Sequence, residues 1–182
     1  MTYTIDIAGL KRDLPICPLN DSLAIGAFVM FGDVEITRHA AEKLLKKLPE
    51  VDYLIAPEAK AIPLIYEMSR HSGIPSLLAR KKAKAYMSGI FEVTVQSITT
   101  AGEQTLVIDT ADAEAMHGKR IAIVDDVIST GESLRAMEAL VGKAGGNIVA
   151  RAAVLAEGDA ANRDDILFLA PLPLFKPDGT VL

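Results

Sequence analysis

The chain has one cysteine, no tryptophan and few aromatics of any kind: tyrosine and phenylalanine together make up 5% of 182 residues. A lone cysteine, Cys17, cannot close an intrachain disulfide, which fits a reducing compartment. So few aromatics argue against a platform on which the bases of a single strand would stack. No apolar run approaches the roughly 18 residues of a membrane span. The opening MTYTIDIAGLKRDL lacks the basic-then-apolar order of an export signal. An excess of positive charge is also missing. Nineteen Lys+Arg stand against 24 Asp+Glu, a net charge of −5, so a broadly basic nucleic-acid surface is not expected. A cytoplasmic protein with no membrane or nucleic-acid partner is the expectation.

Apolar residues, in contrast, are abundant. Half the residues are apolar and 24% charged, which excludes disorder. The length suits one domain with a sizeable core. Ala24–Phe31 reads as a short buried strand, followed by Asp33 in the place of a helix N-cap. From Val34 to Leu48 the residues Ile36, Ala40, Ala41, Leu44, Leu45 and Leu48 recur at helical spacing, with Lys43, Lys46 and Lys47 on the other face. Tyr53–Ala56 is a second strand. After the turn Pro57–Ala61, Pro63 suits the first turn of a helix running to about His71. Ser76–Ala79 is a third strand, and Arg80–Lys84 a charged break. Phe91 to Ile108 reads as two β segments hinged at Thr99–Gly102.

Arg120–Asp125 is a central strand. A helix follows from about Gly131, with Leu134, Met137, Leu140, Val141 and Ala144 on one face, stopped by Gly145-Gly146. Ile148–Leu155 is a further strand. Pro171, Pro173 and Pro177 predict an irregular tail. This alternation describes an α/β domain with a mostly parallel sheet. In such sheets ligands bind beyond the carboxyl ends of the strands, so the strand-to-helix turns are the informative places.

One of those turns is distinctive. Ile121–Leu134 reads IAIVDDVISTGESL. It puts Asp125 and Asp126 side by side at a strand end, where two carboxylates about 4 Å apart repel by about 4 kcal/mol at an effective dielectric of 20. Sugar hydroxyls or a hydrated Mg²⁺ would relieve that repulsion. Ser129, Thr130, Gly131, Glu132 and Ser133 then open a helix whose first amides lack intrahelical partners and whose dipole is positive. With three hydroxyls and a glycine that permits close approach, this is a cradle for a phosphate monoester. The two halves lie one sugar apart.

The segment resembles the phosphoribosyl-pyrophosphate motif of the type I phosphoribosyltransferases. Two further stretches fit the resemblance. APEAKAI (Ala56–Ile62) is similar to the pyrophosphate loop of the adenine and xanthine enzymes, with Glu58, Ala59 and Lys60 in the matching places. Lys60 stands where arginine is common, keeping the charge but losing the bidentate fork. The family often has a non-proline cis peptide here, which would fall between Glu58 and Ala59. RKKAK (Arg80–Lys84) matches the family's arginine-lysine-x-glycine-lysine stretch, with Ala83 for the glycine.

The resemblance spans about Leu23 to Leu155. It implies a Rossmann-like type I phosphoribosyltransferase core of about five strands (about residues 23–155). A small hood would come from residues 1–22 and the C-terminal tail. A flap over Tyr86–Thr105 would be made flexible by Ser88, Gly89 and Gly102. It implies transfer of a 5-phosphoribosyl group to a purine, adenine first and xanthine second, with Mg²⁺ as cofactor and a homodimer as the assembly. Asp125 and Asp126 would hold the ribose hydroxyls and, through water, the metal. Ser129 to Ser133 would hold the 5′-phosphate, and Glu58, Ala59, Lys60, Arg80, Lys81 and Lys84 the pyrophosphate. Val127 and Ile128, with Leu19 and Asn20 from the hood, are the candidates for the base. The glutamate many adenine enzymes carry in the flap is replaced by Thr99, with Glu92 and Glu103 to either side. That departure leaves open a domain that senses phosphoribosyl pyrophosphate or a nucleotide without turning it over. His39, His71 and His117 are scattered and read as surface residues. Cys17 has no activating neighbour in sequence.

Overall fold

The computed structural model describes residues 1–96 and 103–182. The chain opens with Thr2–Ile7 (β1) and Leu10–Pro18 (β2), an antiparallel hairpin, to which Ala24–Gly26 (β3) adds a third strand. Val34–Leu45 (α1) follows, then Tyr53–Pro57 (β4), Ile62–Ser72 (α2) and Ser76–Ala79 (β5). Ile90–Gln96 (β6) and Glu103–Asp109 (β7) pair antiparallel, in register from Ile90 opposite Asp109 to Gln96 opposite Glu103. Next come Thr110–Met116 (α3), Arg120–Ile128 (β8), Glu132–Lys143 (α4), Asn147–Glu157 (β9), a 3₁₀ turn at Gly158–Asn162, and Leu167–Leu172 (β10). The central sheet is ordered β10-β9-β8-β4-β5, and all four of its pairings are parallel.

Period-2 alternation divides the core between the two faces of that sheet. Leu54, Ala56, Ala122, Val124, Ala152 and Val154 pack with α1, α2 and the N-terminal hairpin. Ile55, Ile121, Ile123 and Ala153 pack with α3, α4 and the β6–β7 hairpin. Helix α1 is capped as its sequence suggests: the Asp33 carboxylate accepts from the Ile36 amide at 3.1 Å. Helix α4 stops before Gly145, which takes φ +77, and the next residue packs so closely that a Cβ on Gly146 would lie 2.9 Å from both Ile121 and Val141.

The structure departs from the sequence expectation at several points, each with a physical reason. The strand expected over Ala24–Phe31 ends at Gly26, although Ala27 still donates to the Pro15 carbonyl. Pro15 has no N–H to return the bond, so the ladder stops. Phe28 and Met30 turn inward, while Val29 and Phe31 are exposed. Helix α1 ends at Leu45 rather than Leu48, because Leu48 precedes Pro49 and is disfavoured from the α region. The tail is not irregular throughout. Residues 167–172 form β10, an edge strand on which the missing donor of Pro171 is tolerated. Beyond it Phe175 is fully buried, exchanges both backbone hydrogen bonds with Ala24, and meets the Tyr3 ring edge-on at 5.0 Å. The sequence reading also passed over the strands β1 and β2 and the helix α3. His39 is half-buried, with Nε2 3.1 Å from the carbonyls of Ile7 and Ala8, whereas His71 and His117 are exposed. The expected hinge Thr99–Gly102, Thr99 included, lies outside the described residues.

Candidate functional site

The chemistry-bearing residues converge at the carboxyl ends of β4, β5 and β8. A cavity of about 500 Å³ is lined there by Pro57, Glu58, Ala59, Lys60, Lys81, Gln104, Leu106, Asp125, Asp126, Val127 and Ser133. Strand β8 runs three residues past the expected end, pairing Val127 with Leu155 and Ile128 with Ala156. The acidic doublet is therefore held inside a hydrogen-bonded strand rather than on a loose turn. Asp126 is 2% exposed, and its amide donates to the Asp125 carboxylate at 2.8 Å. Burial pushes the Asp125 carboxyl well above the usual range, and the Asp126 charge pushes it further. The Asp126 amide and the Lys60 cation pull it partly back.

Lys60 is the counter-ion of the doublet. Its Nζ lies 2.7 Å from Asp126 Oδ2, an approach off the hydrogen-bond direction, so that buried oxygen has ionic compensation but no hydrogen bond among the described residues. The turn that delivers Lys60 contains a cis peptide between Glu58 and Ala59, as the resemblance implies. Glu58 gathers the basic stretch: Arg80 Nη1 is 3.3 Å from Oε2 and Lys84 Nζ 3.8 Å from Oε1. Arg80 is itself pinned by paired backbone hydrogen bonds with Val107 on β7, and its guanidinium lies over the Tyr86 ring at 5.6 Å. Thus Lys60 and Lys81 line the cavity, while Arg80 and Lys84 reach it through Glu58.

The Ser129–Ser133 turn leads into α4 with Gly131 as N-cap at φ +80, and among the described residues no side chain caps the first amides. Of this turn only Ser133 lines the cavity described above; Ser129, Thr130, Gly131 and Glu132 are not among its lining residues. The base candidates fare unequally. Val127 lines the cavity, but Ile128 is 4% exposed and packs into the core below α4. Leu19 is exposed and outside the cavity. Asn20 spends its carbonyl on its own turn, accepting from the Ser22 and Leu23 amides and the Ser22 hydroxyl.

Glu157 was not among the residues the sequence pointed to. At the end of β9, it is 8% exposed, and burial raises its carboxyl above the usual range while the Ser129 hydroxyl and Lys60 draw it down. Its only sequence signal is a charge ending an apolar strand next to the one that carries the doublet.

A family model described as the phosphoribosyl transferase domain matches residues 33–169. An adenine phosphoribosyltransferase of Thermosipho africanus is 30% identical over 166 residues, covering 90% of this chain and 94% of that protein. An orotate phosphoribosyltransferase of Bartonella quintana is 34% identical over 123 residues, 66% of this chain; the match spans only 52% of that relative's length. The crystal structure of an adenine phosphoribosyltransferase from Thermoanaerobacter pseudethanolicus superposes with a TM-score of 0.72 at 21% identity, covering 87% of this chain and 95% of that one. That likeness bears on the fold, and the family match and the full-length relative carry the assignment: this chain belongs to the phosphoribosyltransferase family.

Proposed function

We propose that the protein transfers a 5-phosphoribosyl group from phosphoribosyl pyrophosphate to a purine base, adenine in the first place, releasing pyrophosphate and the nucleoside monophosphate. The observation that carries this reading is one cavity shared by the acidic doublet, two cations and the start of α4. Asp125 and Asp126 take the ribose hydroxyls. The amides and hydroxyls of Ser129 to Ser133, with Gly131 and Glu132 between them, take the 5′-phosphate. Lys60 and Lys81 meet the pyrophosphate directly, joined by Arg80 and Lys84 when these leave Glu58. As the bond from the sugar to pyrophosphate breaks, its electron pair departs with the pyrophosphate. Cations that grip the leaving group more tightly at that moment lower the barrier. The sugar carbon then bonds to the base nitrogen, whose proton is released. Catalysis is mostly orientation and leaving-group stabilisation, so no covalent nucleophile is required.

The residues present fit Mg²⁺. Magnesium keeps several waters and is held by one or two carboxylates together with substrate phosphates, and Asp126 offers a buried carboxylate oxygen that is paired with the Lys60 cation and has no hydrogen bond among the described residues. When bound, the metal neutralises charge on the pyrophosphate; Asp125 and Asp126 would hold it through water.

Adenine leads because the relative matched along nearly its whole length is an adenine enzyme, while the orotate relative is matched along half. The hood over the base is assigned to residues 1–22 and the C-terminal tail of a single domain, the flap to Tyr86–Thr105, the assembly to a homodimer and the compartment to the cytoplasm. No described helix is long and apolar enough to cross a membrane. The test is a base screen with phosphoribosyl pyrophosphate, Mg²⁺ and adenine, guanine, hypoxanthine, xanthine, uracil or orotate, read by pyrophosphate release. Turnover with adenine supports the proposal, and turnover with orotate or uracil alone overturns it. Tight binding of the sugar pyrophosphate without release for any base would mark a sensing domain.

A further inference from the structure

Arg163 lies beyond every motif read from the sequence, in the loop after the 3₁₀ turn at Gly158–Asn162. Its position against α4 is unusual. A Cβ built on Gly131 would lie 3.2 Å from Arg163 Nη1, so the guanidinium rests on the turn that opens the helix. A cation against the positive end of a helix is electrostatically unfavourable, by about 0.3–1 kcal/mol at exposed sites. Here it is nevertheless held in place. Arg163 Nε and Nη2 grip the two oxygens of Asp165 at 2.8 and 2.7 Å, a fork-on-fork pair that fixes the guanidinium plane. Asp165 is itself 3.8 Å from Arg151, which pairs with Glu138 on α4. Nη1 is left over, with no hydrogen bond among the described residues.

We propose that Arg163 is a binding residue for the 5′-phosphate, presenting Nη1 to an anion held between it and the first amides of α4. An anion in that place would meet Nη1 on one side and the first amides of α4 on the other, in a turn whose charge is already partly balanced by Asp165 and Glu132. A Cβ at Gly131 would ask the guanidinium to shift by a few tenths of an ångström, a small demand beside the cost of φ +80. The inference deepens, and rests on, the reading of Ser129–Ser133 as the phosphate-binding turn.

The experiment is calorimetric titration of the intact protein with ribose 5-phosphate and, separately, with pyrophosphate. A hydrogen bond to a charged group is worth enough that Arg163→Gln should weaken ribose 5-phosphate by about tenfold to a hundredfold, with pyrophosphate affinity unchanged within twofold. Arg163→Lys should fall between, keeping the charge and losing the fork. Asp165→Asn, which keeps the arginine but loosens its aim, should also weaken ribose 5-phosphate, and it serves if Arg163→Gln does not fold. Wild-type affinity for ribose 5-phosphate in both Arg163→Gln and Asp165→Asn overturns the inference, as does an equal loss for both ligands. If the unaltered protein itself ignores ribose 5-phosphate, the reading of the turn fails, and the role of Arg163 with it. Binding by the unaltered protein with no change in the variants sinks Arg163 alone.

Discussion

Replacing Lys60 by methionine keeps most of the stem and removes the charge that faces the acidic doublet. At the observed 2.7 Å, Coulomb's law gives about 6 kcal/mol at an effective dielectric of 20 and about 1.5 kcal/mol at that of water. The Asp126 side chain is 4% exposed but that of Lys60 is 53% exposed, so solvent screening brings the value toward the lower end, about 2–3 kcal/mol. For a chain of this size that is a fall in Tm of roughly 5–10 °C. The loss should depend on pH, with a sign set by Asp125. Its folded-state pKa is raised, so the folded protein holds this proton more tightly than the unfolded chain. The contribution of Asp125 to stability therefore declines as pH rises from the ordinary carboxylate range through the raised value. Lys60 opposes that rise, so without it the decline runs deeper and to higher pH. Thermal unfolding of the ligand-free proteins between pH 4 and 8 should show Lys60→Met least stable relative to wild type at pH 8, with the gap narrowing toward pH 4. Equal Tm values at pH 8, or a gap that widens on acidification, would refute the account of Lys60 as counter-ion.

Asp126→Ala should lower affinity for phosphoribosyl pyrophosphate by at least tenfold in calorimetry, and unchanged affinity would remove its assigned role. Gly131→Ala should cost about 1–2 kcal/mol in urea unfolding for the left-handed backbone alone, with crowding of Arg163 in addition; a neutral result would mean that the turn is free to relax. Leu140 is fully buried on the inner face of α4, so Leu140→Ala should cost about 2–5 kcal/mol in the same assay through the cavity it leaves.

Much of this organisation was legible because it is local. The apolar strand, two acids and a hydroxyl-glycine turn occupy consecutive positions, and nothing distant is needed to see that they lie at a strand-to-helix junction. The same holds for Asp33 capping α1 and for Pro63 in the first turn of α2. What escaped notice is what strand pairing supplies. The early end of β3 depends on Pro15 lying opposite Ala27, a register that only the folded sheet defines. Strand β10 is masked in the sequence by Pro171, which an edge position makes harmless. Glu157 comes beside Ser129 only because Ala156 pairs with Ile128, and Arg163 meets Gly131 across more than thirty positions of chain. Asn20 illustrates the same dependence on the folded chain: its side-chain carbonyl accepts from the amides of Ser22 and Leu23 within its own turn.

The charge layout explains how an acidic chain can present a site for a polyanion. Three of the cations assigned to the pyrophosphate already rest on acids of the site: Lys60 on Asp126, and Arg80 and Lys84 on Glu58. Under the proposed function, binding is then an exchange of partners rather than the capture of an anion by bare charge. Each cation leaves a carboxylate for a phosphate oxygen, and Asp126 regains a partner in the ribose hydroxyls or the hydrated metal. Such an exchange changes the number of charge pairs little, so affinity should respond more weakly to ionic strength than on an open basic surface, where every contact is a net neutralisation. Net charge is therefore a poor guide to what this pocket accepts, and the pairing pattern of Glu58, Lys60 and Asp126 a better one.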